Sequence, residues 1–252
     1  MTNSAASRQG SFADSEDEHG PGLRPGLVVA VDGPAGSGKS SAARGVARAL
    51  GLRYLDTGAT YRALTWWLLS HGIDTTSPDA DVEHASCPVI EVSTDPRAPA
   101  IRVDGIDVHG PIRSRAVSNA VSSVAAVPQV RQLLIAMQRQ IIASAVAAGS
   151  GIVAEGRDIG SVVAPDAAVK VFLTASEEVR AIRRSADLAA DPAATTALTL
   201  RENARRDQRD APQTAMAGDA VEIDATSLGL DEVIGQIVSL ARGSRAGAAW
   251  TG

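Results

Sequence analysis

The chain has 252 residues, 44% of them hydrophobic and 21% charged, with a formal net charge of −5. This is the composition of a globular protein long enough to bury a substantial core, and the acidic balance excludes a general nucleic-acid binder, which carries a basic face. A single cysteine, Cys87, leaves no intramolecular disulfide and no cysteine-built zinc cluster.

Residues 1–26 are rich in Ser, Gly, Asp and Glu and lack the apolar stretch of a secretory signal. They read as a disordered tail, and the expectation is a cytoplasmic protein. Residues 27–31, L-V-V-A-V, read as a short buried strand, and residues 39–50 carry the spacing of a helix. Between them, residues 33–40 spell G-P-A-G-S-G-K-S, a match to the phosphate-binding loop G-x-x-x-x-G-K-[S/T] in the strand–turn–helix context it requires. Gly33 and Gly38 permit backbone angles that turn successive N–H groups inward around phosphate oxygens. The helix start adds the positive end of its dipole. Gly33, Pro34, Ala35, Gly36, Ser37, Gly38, Lys39, Ser40 and Ser41 are therefore the expected ATP-phosphate site, with Lys39 reaching the β and γ phosphates and the Ser40 hydroxyl holding Mg²⁺. The chain has only two lysines among its 24 basic residues, which makes a chance match rare.

Further on, residues 52–55 read as a strand and 60–70 as a helix with Trp66, Trp67, Leu68 and Leu69 as core residues. Residues 88–108 contain alternating apolar runs with Asp104-Gly105 between two of them, a hairpin signal. Helices are expected at 113–125 and 130–148, broken at Pro128. Strands follow at 151–155, 169–173 and 220–223, the last two trailed by helices at 177–187 and 231–242. Strands separated by helices imply a parallel sheet covered on both faces, with ligands beyond the carboxyl ends of its strands. Three segments there bear functional groups: 33–40, 56–58 and 155–158.

Residues 183–214 are polar and arginine-rich at both ends (Arg183, Arg184, Arg201, Arg205, Arg206, Arg209). In isolation this is an exposed helical hairpin; after a nucleotide-binding core it reads as a mobile lid whose guanidinium groups close on phosphate. Arg157-Asp158 alone would be a surface ion pair, Tyr61 a core ring and Ser122 a helix-surface hydroxyl. Glu155 fits either a place beside Mg²⁺ or a partner for an arginine.

The segments D-G-P-A-G-S-G-K-S, L-D-T-G-A-T-Y-R, E-G-R-D-I-G-S-V-V-A-P-D-A and V-K-V-F-L-T-A-S together resemble the bacterial cytidylate kinase family, from about residue 27 to 242. The first motif is shared by many NTPases; D-T-G-x-x-Y-R followed by G-R-D-x-G-[S/T]-V-V is narrower. The resemblance implies an α/β P-loop NTPase with a five-stranded parallel sheet flanked by helices (core 27–56, 135–182 and 215–245). It also implies an inserted small antiparallel-sheet subdomain binding the nucleoside monophosphate (about 57–134) and a helical lid (about 183–214). The implied reaction moves the γ-phosphoryl group of ATP, with Mg²⁺, onto CMP or dCMP; the acidic, domain-sized chain without a membrane-length apolar run is expected to be a monomer with neither nucleic-acid nor membrane partners. By resemblance, Asp158, Ser122 and Arg131 recognise cytosine, and Arg62 and Arg157 grip the monophosphate. Thr57 and Tyr61 position the nucleoside, and Arg206 and Asp210 reach the sugar from the lid. Lys39, Arg157 and Arg206 would be catalytic. A carboxylate accepts from the cytosine amino group, whereas the uracil carbonyl would leave two acceptors facing each other. The chain departs from the family where an arginine usually follows R-D-x-x-D: Gln213 stands there, and Arg201, Arg205 or Arg209 would have to compensate. The competing readings are a P-loop kinase for another small molecule and a nucleotide-binding regulator without catalysis.

Overall fold

The computed structural model describes residues 25–187, 196–214 and 216–244. The expected tail at 1–26 lies outside these residues apart from the turn at Pro25 and Gly26. Eight strands and eight helices occur among the described residues, in the order β1 (Val28–Asp32), α1 (Lys39–Leu50), β2 (Arg53–Asp56), α2 (Thr57–Ser70), α3 (Pro78–His84), β3 (Ile90–Val92), β4 (Ile101–Val103), β5 (Ile106–Asp107), α4 (Arg115–Ala126), α5 (Pro128–Ala147), β6 (Ile152–Gly156), β7 (Val169–Thr174), α6 (Glu177–Asp187), α7 (Thr196–Asp210), β8 (Val221–Asp224) and α8 (Leu230–Gly243).

β1 and β6 are buried at every residue, the pattern of strands covered on both faces. They lie in an all-parallel sheet of order β2-β6-β1-β7-β8. Alternation along β1 sends Val29 and Val31 to one face, where α1 and α8 cover them with Val46, Leu50, Val233 and Ile237. Val28 and Ala30 face the other side and meet Ile142 and Ala145 of α5. The same period sets the carboxyl edge. Glu155 follows Val153 toward the α1 side, Asp56 follows Tyr54 the same way, and Asp32 points to the α5 side. Register aligns Asp32 with Gly156 and Asp56 with Glu155, so the three carboxylates share one edge.

Between β2 and β6 the chain forms a second, antiparallel sheet of order β3-β4-β5. Its tight turn is at Asp104-Gly105, both with positive φ (51° and 77°), the geometry of a type I′ hairpin. Asp104 is held there by hydrogen bonds from Trp67 Nε1 at 2.9 Å and from the Val89 N–H at 2.8 Å. This sheet packs with α2 and α4 around Leu64, Leu68, Ile101, Val103 and Val124. Helix α5 serves two cores: Val130 and Leu134 enter that cluster, while Ile142 and Ala145 cover the main sheet. Pro128 at its first position accompanies a 98° bend from α4. Among the described residues no single helix is long and apolar enough to cross a membrane.

Helices α4 and α5 run Arg115–Ala126 and Pro128–Ala147, within two residues of expectation, and three features depart further from the sequence reading. Helix α2 starts at Thr57 instead of residue 60, because the Asp56 side chain caps it through the Ala59 N–H at 2.8 Å. The short helix α3 has only seven residues and too little periodicity to announce itself. One turn of π-helix, Ile159–Val163, follows β6.

Candidate active site

The phosphate-binding loop is shaped by glycines that nothing else can replace. Gly33 has φ 150° and a Cβ on it would lie 2.1 Å from the Leu173 carbonyl oxygen; Gly36 has φ 76° and its Cβ would lie 2.5 Å from the Arg180 carbonyl oxygen. Gly38, at φ 92°, leads into α1 without a side-chain cap, so the first N–H groups of the helix face the loop. Lys39 Nζ donates to the Pro34 carbonyl at 3.3 Å, arching over the loop. Ser40 Oγ donates to Glu155 Oε1 at 2.7 Å, and the Tyr54 hydroxyl reaches the same oxygen at 3.3 Å. Of the two readings left open for Glu155, its hydrogen bonds thus run to the loop hydroxyl. Burial first, and then the charge of Asp56, raises the Glu155 pKa to about 7.

A cavity of about 340 Å³ opens beside the loop. Its walls bring together Lys39, Ser40, Ser41, Thr57, Tyr61, Arg62, Ser122, Arg131, Arg157, Asp158 and Asp210, from six separated stretches of chain. Arg131 and Asp158 are paired, with the Arg131 guanidinium 6.0 Å from the centre of the Tyr61 ring. Burial raises the Asp158 pKa against the opposing pull of Arg131. Arg62 donates to Asp56 Oδ2 at 2.8 Å. Burial works against ionisation of Asp56, but Arg62, the Ala59 N–H, Arg113 and Lys39 more than offset it and place its carboxyl below the ordinary range. Thr57 Oγ1 donates to the Glu155 carbonyl at 2.8 Å. Tyr61 has its pKa raised to about 12, chiefly by burial. Gly33, Pro34 and Ser37 complete the loop itself, while Ala35, Gly36 and Gly38 also line the cavity.

Helices α6 and α7 close over this cavity through ionic contacts. Arg157 Nη2 meets Asp210 Oδ2 at 2.9 Å and Ser122 Oγ donates to Asp210 Oδ1 at 2.9 Å. Asp207 pairs with Arg180 and lies 3.7 Å from Arg157, and it accepts from the Ala35 N–H at 3.4 Å. Arg180 also donates to the Ala35 carbonyl and Arg183 to the Ser37 carbonyl, each at 3.1 Å, so α6 is sewn to the loop. The side chain of Arg206 lies outside the described residues. Arg201, Arg205 and Arg209 are exposed and outside the cavity walls, whereas Arg184 and Gln213 both line it. Among the described side chains of α6 and α7, Arg184 is the arginine that lines the cavity together with Gln213.

Sequence reasoning missed Asp32, Tyr54, Arg180 and Asp207. Asp32 is buried and accepts from the Ile159 and Gly160 N–H groups, both at 2.8 Å. It thereby anchors the π-helical turn that begins just after Asp158. Burial raises its pKa to about 6. A charged residue closing an apolar strand was the available signal; its partners lie 127 and 128 positions away.

The arrangement offers a phosphate cradle at one end. At the other it offers a carboxylate–guanidinium pair beside an aromatic ring, with arginines between them. The sequence profile of the family described as cytidylate kinase matches residues 29–243. The chain is 50% identical over 226 residues to a cytidylate kinase of Streptomyces griseus, covering 89% of this chain and 96% of the relative. It is 52% identical over 224 residues to that of Streptomyces coelicolor (88% and 96% covered) and 44% identical over 220 residues to that of Corynebacterium diphtheriae (85% and 94%).

Proposed function

This chain belongs to the cytidylate kinase family, and on that premise we propose how its residues divide the work of moving a phosphoryl group from ATP to CMP. The chain is an ATP-dependent CMP kinase; the division of roles and the use of dCMP are our reading. The supporting observation is that one cavity joins the phosphate-binding loop to the paired Arg131 and Asp158. ATP would lie with its phosphates in the loop, and the acceptor with its base against Asp158, Arg131 and Ser122. Arg62 and Arg157 would hold the acceptor phosphate, as forked donors suit its oxygens. Thr57 and Tyr61 would frame the nucleoside.

The acceptor oxygen is already anionic at neutral pH, so no general base is needed; positioning and charge stabilisation carry the rate. Lys39 and Arg157 would face the charge that spreads during transfer. Arg206 and Asp210 would approach from the lid at 183–214, the core at 27–56, 135–182 and 215–245 holding ATP and the insert at 57–134 the acceptor. Asp210 occupies Arg157 in this structure, so an incoming phosphate would exchange one anion for another at that guanidinium.

The residues fit Mg²⁺. A hydroxyl and a carboxylate, Ser40 and Glu155, sit 2.7 Å apart at the start of α1, and hard oxygen donors with few protein ligands suit an ion that is otherwise held by water and phosphate. Ser40 would hold the ion directly, with Glu155 behind it. When bound it neutralises phosphate charge.

ADP formation measured with CMP, dCMP, UMP, AMP and shikimate tests the reading. Stimulation is expected with CMP and dCMP and weak or none with the others. No stimulation by CMP above the ATP-only rate would overturn it.

A further inference from the structure

The buried face of α5 reads Val130, Leu134, Gln138, Ile142 and Ala145. The others are apolar, yet Gln138 in the middle is 0% exposed. It stands at the seam of two cores, since Leu134 belongs to the insert cluster and Ile142 to the cluster against the main sheet. An amide is costly to bury unless it is hydrogen-bonded, and only half of this one is. Gln138 Nε2 donates to Thr60 Oγ1 at 2.9 Å, while Oε1 is buried without a partner among the described residues. Turning the amide over would not cure this. Thr60 Oγ1 commits its one hydrogen to the Thr57 carbonyl at 2.7 Å, so towards Gln138 it can only accept. From Thr57 the line continues, its Oγ1 donating to the Glu155 carbonyl at 2.8 Å. A Cβ on Gly156 would lie 2.5 Å from that Oγ1, so β6 presents bare backbone at the contact. Thr57 and Thr60 are buried as well. One dry line of polar groups thus crosses from α5 through α2 to β6.

Each element on this line delivers one part of the nucleoside end of the cavity. Helix α5 carries Arg131, two turns before Gln138 and on the same face. Helix α2 carries Tyr61, next to Thr60, and β6 leads to Asp158. Arg131 pairs with Asp158 and lies 6.0 Å from the centre of the Tyr61 ring, a distance set by the register of α2 against α5. Arg139, beside Gln138, donates to the Val162 and Val163 carbonyls at 2.7 and 3.1 Å and so ties α5 to the turn after Asp158. The polar tie from α5 to α2 along this line is Gln138. A methionine there would fill the space with no orphan acceptor, and Thr60 would keep its bond to Thr57. Stability alone therefore does not account for a glutamine.

We propose that Gln138 is a positioning residue for CMP: through Thr60 it fixes α2 against α5 so that Tyr61 faces Arg131 and Asp158. Gln138 itself lies outside the cavity walls and touches no substrate. The proposal rests on the acceptor reading above, which sets the base against Arg131 and Asp158.

The test uses the full chain with ATP, Mg²⁺ and CMP, and measures KM for each nucleotide, kcat and the urea midpoint. Wild type is compared with Gln138→Met, Thr60→Val, Thr60→Ser, the Gln138→Met/Thr60→Val double variant and, as a reference, Arg131→Met. Gln138→Met leaves no buried polar group unpaired, so its urea midpoint should match or exceed that of wild type. Its KM for CMP should nonetheless rise about tenfold, with KM for ATP within about twofold. Thr60→Ser keeps the hydroxyl and should keep the wild-type KM for CMP. Thr60→Val should raise it, and the double variant should be no worse than the worse single one, because both substitutions cut the same line. A KM for CMP within about twofold of wild type in Gln138→Met would overturn the proposal. So would a joint rise of both KM values, or a Gln138→Met chain that does not fold, since either makes Gln138 a purely structural residue. Arg131→Met separates this from the acceptor reading. A wild-type KM for CMP in that variant would overturn the acceptor reading, whereas a raised one there beside a wild-type value in Gln138→Met would overturn the positioning alone.

Discussion

Asp32→Asn separates two roles of one buried carboxylate, its charge and its grip on the turn after β6. Each Asp32 oxygen accepts one backbone N–H at 2.8 Å. An asparagine carbonyl keeps one of these, while its amino group faces the other N–H, leaving a buried donor unpaired at about 1–3 kcal/mol. Against this, burial raises the Asp32 pKa from 3.8 to about 6. At about 1.4 kcal/mol per pH unit, the ionised form costs about 3 kcal/mol at neutral pH, and the amide avoids that cost. The two effects are of similar size, so thermal stability at pH 7 should change little. The positional effect has no such offset. The turn carries the chain away from Asp158, and small misplacement of a binding group is expensive. We expect KM for CMP to rise about tenfold at saturating ATP, with KM for ATP nearly unchanged. A large loss of stability with wild-type KM for CMP would refute the reasoning. The pH dependence carries a sign. Between about pH 4 and 6 the folded chain retains a proton on Asp32 that the unfolded chain has released, so this group's contribution to stability falls as pH rises through that window. Urea unfolding at pH 4.5 and pH 7 should show a smaller difference in Asp32→Asn than in wild type if other carboxylates behave alike.

Gly33→Ala places a methyl 2.1 Å from the Leu173 carbonyl oxygen; the loop must move, at a cost of roughly 1–3 kcal/mol, and calorimetry should show ATP-analogue binding lost. A variant with wild-type melting and binding would disprove the tight contact. Asp158→Asn replaces an acceptor by a group that can turn either face to the base. The ratio of kcat/KM for CMP over UMP should shrink by about tenfold or more, and an unchanged ratio would remove Asp158 from base recognition. Ser40→Ala deletes the hydroxyl bonded to Glu155. Half-maximal rate should then require about tenfold more Mg²⁺, while a superimposable Mg²⁺ titration would show that Ser40 is no ligand.

Local chemistry made the phosphate-binding loop legible, because Gly33, Gly36 and Gly38 answer to backbone geometry within a few residues. The hairpin at Asp104-Gly105 was legible for the same reason. What the sequence hid was pairing over distance. Arg180 and Asp207 meet across 27 positions, and Ser122 and Asp210 across 88; no spacing rule joins residues on different helices. The fate of Glu155 was undecided for a related cause. A place beside Mg²⁺ and a partnership with an arginine were both open to a carboxylate at a strand end. The alternation of β6 turns Glu155 with Val153 toward α1, and there the hydroxyls of Ser40 and Tyr54 reach it. Near Gln213 the sequence offers the arginines of α7 first, because they are its neighbours along the chain. Among the described side chains of the two lid helices, the arginine that lines the cavity with Gln213 is Arg184, on the helix that Arg180 and Arg183 fasten to the loop. Because Arg180 also pairs with Asp207, α6 couples the phosphate cradle to α7, and Arg184 lies on that coupling helix.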